Sequence, residues 1–261
     1  MASPGELTVR SGRVKHARRL ATRAFRAKTG EFLAEGPQAV REALAEGAAI
    51  EVFATAEATD RHPELRGRAP QWHVVTDDVV EAIADSVTPQ GLVARCASAL
   101  GTLHDVPAEA RLVVVCAEIR DPGNLGAVIR CADAAGADAV VVAGDSVDPL
   151  NPKVVRATAG SLFHLPVAVE EDATAAVSVL RERGLQVLAA DGAGDTGLFD
   201  AGLDLARPTA WLMGNEAHGL PADLAADADR VVAVPIRGRA ESLNLATAAA
   251  VCLYASARAQ G

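Results

Sequence analysis

Residues Val234–Ala248 read VPIRGRAESLNLATA, and the reading of this stretch decides the fold. A Pro-x-x-Gly turn, Pro235 to Gly238, leads to Glu241-Ser242-Leu243-Asn244 and then into a run of small and apolar residues. Ser and Asn at a helix start set side-chain oxygens beside unpaired backbone N–H groups. Just upstream, Val231–Val234 has the β-branched character of a short strand. Strand, polar turn and a long closing helix, Leu243–Arg258, form one unit of an α/β layer. Taken alone, the polar turn reads equally as a ligand pocket or as an ordinary helix cap.

The same grammar recurs upstream. Leu112–Ala117 is a continuous apolar run, as expected of a strand buried on both faces. Asp121-Pro122-Gly123-Asn124 then turns the chain, with Asn124 at a natural capping position. A helix over 124–135 sets Leu125, Val128, Ile129 and Ala132 on one side and leaves Arg130 off that stripe. Further strands are expected at Ala139–Ala143, Leu165–Val169, Leu185–Ala190 and Thr209–Met213, with helices at Pro152–Ala159 and Thr174–Arg183. Gly214-Asn215-Glu216-(x)2-Gly219-Leu220 follows the strand Thr209–Met213. This alternation predicts a mostly parallel sheet with helices on both faces. Such sheets bind ligands at the carboxyl ends of their strands. Three polar strand ends then converge on one crevice, although a cap or a solvated charge also explains each in isolation.

One motif points elsewhere. Gly192-Ala-Gly194-Asp-Thr-Gly197 matches G-x-G-x-x-G after a strand, but Leu198-Phe-Asp-Ala-Gly202 is a poor helix start. A dinucleotide site needs that helix. The stretch therefore reads as a surface loop.

The first hundred residues read as a smaller α/β unit. Gly12–Lys28 has helical character, and strands are expected at Glu31–Glu35, Ile50–Ala54, His73–Val75 and Leu92–Cys96. Helices are expected over 38–46 and 77–84. Leu100–Ala110 is a polar connector, which divides the chain into residues 1–105 and 106–261. The formal net charge of −9, taken as a total, argues against nucleic acid, but its distribution reverses that inference. Between Arg10 and Lys28 lie eight basic residues and no acidic one, which leaves 17 of the 25 basic residues against all 34 acidic ones. A local basic stripe can bind phosphates while the remainder stays acidic. Arg18, Arg19, Arg23 and Arg26 are the candidates. A solvated helix face or an organelle transit peptide has the same composition.

No run of 18 apolar residues suggests a membrane span, and no apolar signal core precedes the basic stripe, so a cytoplasmic protein is expected. The four cysteines are scattered and read as buried small hydrophobes. No histidine or cysteine spacing suggests a metal.

Together, Asn124-(x)5-Arg130, Gly214-x-Glu216-(x)2-Gly219-Leu220 and Pro235-(x)2-Gly238-(x)3-Ser242-Leu243-Asn244 resemble the three motifs of the SpoU/TrmH branch of the SPOUT RNA methyltransferases. Asn151-Pro-Lys153-(x)2-Arg156-(x)3-Gly160 resembles a further family segment. The first unit is similar to the family's ribosomal-protein-like substrate-binding domain through Phe32-Leu-Ala-Glu35-Gly36 and Thr88-Pro89-Gln90-Gly91. The resemblance implies a trefoil-knotted C-terminal domain, closed where Val234–Ala257 threads back, and a homodimer packed through that domain. It implies S-adenosylmethionine as cofactor, bound by Gly144, Leu212, Met213, Gly214, Asn215, Ile236, Gly238, Leu243 and Leu245. It implies methyl transfer to a ribose 2′-hydroxyl in RNA, with Arg130, Asn124, Glu216, Ser242 and Asn244 as the reaction residues, Glu216 pairing with Arg130 or fixing its loop. Arg156 joins the basic stripe as an RNA contact. Ribosomal RNA is favoured as substrate by the two-domain layout. A tRNA methyltransferase and a catalytically silent RNA-binding protein on the same scaffold are the alternatives.

Overall fold

The computed structural model describes residues 7–216 and 218–261. Its contacts group the chain into two compact units, residues 1–99 with 148–164, and 100–147 with 165–261. The sequence reading cuts the chain once, at residue 105. The structure instead returns the segment Asp148–His164 to the first unit.

The first unit is built on four strands: β1 (Glu31–Glu35), β2 (Ala49–Thr55), β3 (Trp72–Val75) and β4 (Leu92–Ala97). Their order is β1-β4-β2-β3. β4 runs antiparallel to both β1 and β2, and β2 pairs in parallel with β3. Val14, Ala17, Leu20, Phe25, Leu33 and Phe53 close one core over this sheet. The basic segment expected as a single helix is two, Gly12–Arg19 and Arg23–Thr29. The break is held by Arg26. Its Nη1 donates to the carbonyls of Leu20 at 2.8 Å and Ala21 at 2.9 Å, and its Nε and Nη2 donate to Asp148 Oδ2.

The second unit carries β5 (Leu112–Ala117), β6 (Ala139–Ala143), β7 (Val167–Glu170), β8 (Gln186–Ala190), β9 (Thr196–Gly197), β10 (Thr209–Met213) and β11 (Arg230–Ala233). The order is β7-β6-β5-β10-β8-β11-β9, and every described pairing is parallel. β5, β6 and β10 are buried along their whole lengths, which is why β5 reads as an unbroken apolar run. Register positions the site. Met213 is level with Cys116 on one side and Ala190 on the other, and Ala190 is level with Val232. The loops leaving β5, β8, β10 and β11 therefore emerge side by side at one edge.

Two helices start at that edge, Pro122–Ala134 and Leu245–Gln260. They run in the same direction, joined near their starts by an Asn244–Asn124 bond and near their ends by Tyr254 Oη donating to the Ala134 carbonyl at 3.1 Å. Burial pushes the Cys252 thiol up to about 12. Cys116 is pushed up to about 12 by burial first and by the nearby Glu216 charge second. Cys131 departs from the buried pattern, being only partly covered. Among the described residues, no helix is long and apolar enough to cross a membrane.

Candidate active site

The site is built around one side chain, Asn124. The sequence reading sets Asn124 at the cap of this helix, and the structure uses Asp121 instead. Asp121 is the N-cap, with its Oδ1 accepting the Asn124 N–H at 2.7 Å and Pro122 in the first turn. Asn124 therefore lies inside the helix, and its amide is free to reach outward. Its Nδ2 donates to Glu216 Oε1 at 3.1 Å, and its Oδ1 accepts from Asn244 Nδ2 at 2.9 Å. Asn244 caps the other helix, its Oδ1 accepting from the backbone N–H groups of Ala246 and Thr247. Three segments far apart in sequence thus meet through two side-chain amides and one carboxylate.

Glu216 is held from behind by long bonds from the N–H groups of Arg120 at 3.4 Å and Asp121 at 3.3 Å. Of the two roles expected for Glu216, loop fixing is what its bonds do. Among the described residues, Arg130 makes no hydrogen bond or ion pair and is exposed. Asn215 completes the joint. Its Nδ2 donates to the Glu118 carbonyl at 2.8 Å, and it brackets a tight loop through backbone bonds with Gly219. Gly214 has no room for a side chain there, because a Cβ would lie 2.5 Å from the Gly219 and Leu220 backbone.

This joint borders a cavity of about 690 Å3 at the carboxyl ends of β8, β10 and β11. Met213, Gly214, Asn215, Ile236, Gly238, Leu243 and Leu245 line it, as do Asn124, Glu216, Ser242 and Asn244. Two residues expected at the cofactor are elsewhere. Leu212 is fully buried in the sheet core, and Gly144 backs against the Glu118 carboxylate. The sequence also missed part of the wall. Gly192, read as the start of a surface loop, lines the cavity, and so does its neighbour Asp191. Gly194 explains how, since a Cβ there would lie 2.7 Å from the Val231 carbonyl oxygen, so the glycines let the loop fold back on β11. A G-x-G pattern after a strand was the available signal.

Two of the expected RNA contacts are spent internally. Arg26 is 4% exposed and paired with Asp148, so it holds the helix break. Arg156 pairs with Glu35 at 3.2 Å and Asp85 at 2.9 Å. Arg18 and Arg23 are exposed, and the exposed Arg19 guanidinium lies 4.0 Å from the centre of the Phe25 ring.

The volume falls within the roughly 300–1,000 Å3 typical of ligand sites. Apolar Met213, Val232, Ile236 and Leu243 suit an adenine face, while amides, a hydroxyl and loop backbone suit the polar remainder of a nucleoside-bearing cofactor.

A parallel α/β sheet with a ligand cavity at its carboxyl edge and a three-segment polar joint at the rim defines the class. A model of the SpoU rRNA Methylase family matches residues 111–254, and one of the MRM3-like substrate binding domain matches residues 12–94. The chain is 35% identical over 247 residues to the 23S rRNA (guanosine(2553)-2'-O)-methyltransferase RlmP of Bacillus subtilis, covering 95% of this chain and 96% of that protein. It is 33% identical over 250 residues to a 23S rRNA (uridine(2479)-2'-O)-methyltransferase of Streptomyces viridochromogenes, covering 92% of this chain and 86% of that one. The crystal structure of an AdoMet-bound rRNA methyltransferase from Sinorhizobium meliloti superposes with a TM-score of 0.81 at 32% identity, covering 96% of each chain. The chain belongs to the SpoU rRNA methylase family.

Proposed function

We propose that this protein transfers a methyl group from S-adenosylmethionine to a ribose 2′-hydroxyl of ribosomal RNA. The observation that carries the reading is the Glu216–Asn124–Asn244 joint at the rim of the 690 Å3 cavity. The relatives named as rRNA 2′-O-methyltransferases support the reaction, and the AdoMet-bound neighbour supports the cofactor. When bound, the cofactor supplies an electrophilic methyl group. Met213, Ile236, Leu243 and Leu245 would hold its apolar parts, with Gly214, Asn215 and Gly238 contributing backbone. Asn124, Glu216, Ser242 and Asn244 would orient the reacting groups. Fixing donor and acceptor in line is a large part of the acceleration in such a transfer.

Arg130 is assigned the developing alkoxide and the adjacent phosphate. Its guanidinium stays charged, so electrostatic stabilisation is the role its chemistry fits. The trefoil knot closed by Val234–Ala257 and a homodimer through the second unit belong to the same reading. The exposure of Arg130, outside its own chain's cavity, supports its use at such an interface. The first unit is assigned to RNA binding, with Arg18, Arg19 and Arg23 as phosphate contacts.

The test is methylation of protein-free ribosomal RNA with labelled S-adenosylmethionine, followed by mapping of the modified ribose. Transfer to a 2′-oxygen is the expected result, and label on a base or none on RNA overturns the reading. Arg130→Ala is expected to abolish transfer while retaining cofactor affinity in calorimetry.

A further inference from the structure

A second cavity, of about 860 Å3, lies in the same unit and shares Asn124, Asn215, Glu216 and Gly219 with the first. The joint that carries the proposed function is therefore a partition common to the two cavities. The second is otherwise lined by Arg120, Pro122, His218, Leu220 and Pro221, together with Glu118 and Asp121.

Its chemistry differs from that of the cofactor side. The three carboxylates facing it already have donors within the protein. Glu118 accepts the Asp145 N–H at 3.0 Å, Asp121 caps a helix, and Glu216 holds Asn124. What remains for a ligand is the apolar surface of Pro122, Leu220 and Pro221, the guanidinium of Arg120 and the Nε2 edge of His218, whose Nδ1 lies 3.3 Å from Asn215 Oδ1. Arg120 stands at the rim, more than half exposed and tethered to Asp145 at 2.8 Å. Flat apolar faces with one imidazole and one guanidinium suit an unstacked nucleobase, which RNA-binding sites grip by stacking and edge contacts.

The backbone supports a built site. Glu118 has φ of +59°, a left-handed conformation that a residue with a side chain rarely adopts. In that conformation its carbonyl accepts Asn215 Nδ2 and so fixes the partition. Strain of this kind persists where the surroundings impose it, commonly at functional sites.

We propose that this second cavity is the slot for the acceptor nucleotide's base, and that His218 and Arg120 are contacts that decide which nucleotide enters. The inference rests on the first cavity being the cofactor site. It seats donor and acceptor in adjoining cavities that share Asn124 and Glu216, so that a ribose can meet the methyl group where the two join.

The test uses the full chain, with cofactor affinity measured by calorimetry and methyl transfer measured on protein-free ribosomal RNA. Pro221→Trp fills the slot from an exposed position, while His218→Ala and Arg120→Ala strip its contacts without adding bulk. All three are expected to bind S-adenosylmethionine within about twofold of the unaltered protein. Pro221→Trp is expected to raise KM for RNA about tenfold or more, and the two alanine variants several-fold; tenfold corresponds to about 1.4 kcal/mol. An unchanged KM in His218→Ala and Arg120→Ala overturns the slot even if Pro221→Trp fails to fold. Loss of cofactor binding in the variants also overturns it, because the cavity then serves the cofactor. An unaltered protein that binds no S-adenosylmethionine refutes the cofactor reading itself, a result separable from the others.

Discussion

Replacing Asn124 by Ala removes one donor and one acceptor at the centre of the site. The donor bond, 3.1 Å to Glu216, is charge-assisted, and the acceptor bond, 2.9 Å from Asn244, is neutral. Net values are about 1.5–3 kcal/mol for a charged partner and about 0.5–1.5 kcal/mol for a neutral one. Both bonds are exposed, so the lower ends apply and the expected loss is about 2 kcal/mol. The helix should survive, because Asp121 caps it, and the Leu245–Gln260 helix keeps its cap through Asn244 Oδ1. Glu216 keeps only its two long backbone bonds. The larger effect should therefore fall on the ligand, with affinity for S-adenosylmethionine reduced roughly tenfold, or about 1.4 kcal/mol. Urea unfolding and titration calorimetry measure the two terms. A double-mutant cycle with Asn244→Ala is expected to give about 0.5–1 kcal/mol of coupling. Zero coupling with unchanged cofactor affinity would refute the reasoning, as would a loss beyond about 4 kcal/mol, which would mean that Asn124 holds up a whole element.

Three further outcomes follow from other parts of the molecule. Gly194→Ala brings a Cβ within 2.7 Å of the Val231 carbonyl and should cost about 1–3 kcal/mol and weaken cofactor binding, whereas Gly238→Ala meets nothing within 4 Å and should shift stability by less than about 0.5 kcal/mol; thermal unfolding of the pair checks this. Arg26→Ala strands Asp148 and the Leu20 and Ala21 carbonyls, and should cost about 3–5 kcal/mol in denaturant unfolding, against nearly nothing for exposed Arg18→Ala. Burial opposes ionisation of Glu51, but hydrogen bonds from Arg13 and Arg95, the Arg95 charge and a bond from His73 outweigh it and hold the carboxyl below its usual range; Glu31 is held low in the same way by His16 and Arg95. A carboxyl depressed in the folded state contributes stability above the unfolded value, about 4.3, and loses it as pH falls through the folded value. Acid unfolding should therefore begin below about pH 4, and Glu51→Gln should be less stable at pH 7 with a flatter acid limb in a pH titration of unfolding.

Much of the second unit is legible because its central strands have no solvent face. β5, β6 and β10 are buried throughout, and their limits fall where the sequence reading sets them. The first unit hides more. Nothing in the periodicity of Gly12–Lys28 marks a break, because the break is made by Arg26 reaching back to two carbonyls and across to a residue more than a hundred positions away. The cap, read at Asn124, was legible at Asp121, since Pro122 fits the first helical position and makes its predecessor the cap. That shift by one turn turned Asn124 from a helix cap into a joint. For the glycine loop after β8, the G-x-G pattern signals a close backbone approach but not its partner, because the approach to β11 is a tertiary fact.

The segment Asp148–His164 leaves the parallel sheet between β6 and β7 and packs with the first unit. There Asp148 neutralises Arg26, Arg156 neutralises Glu35, and Phe163 stacks on Phe32 with ring centres 5.9 Å apart. The first unit is thus not a continuous stretch of chain. A fragment ending at Ala99 would carry a buried arginine and a buried glutamate without their counter-charges, and an aromatic ring without its mate. The first unit cannot be cut away or exchanged as a cassette unless this loop travels with it.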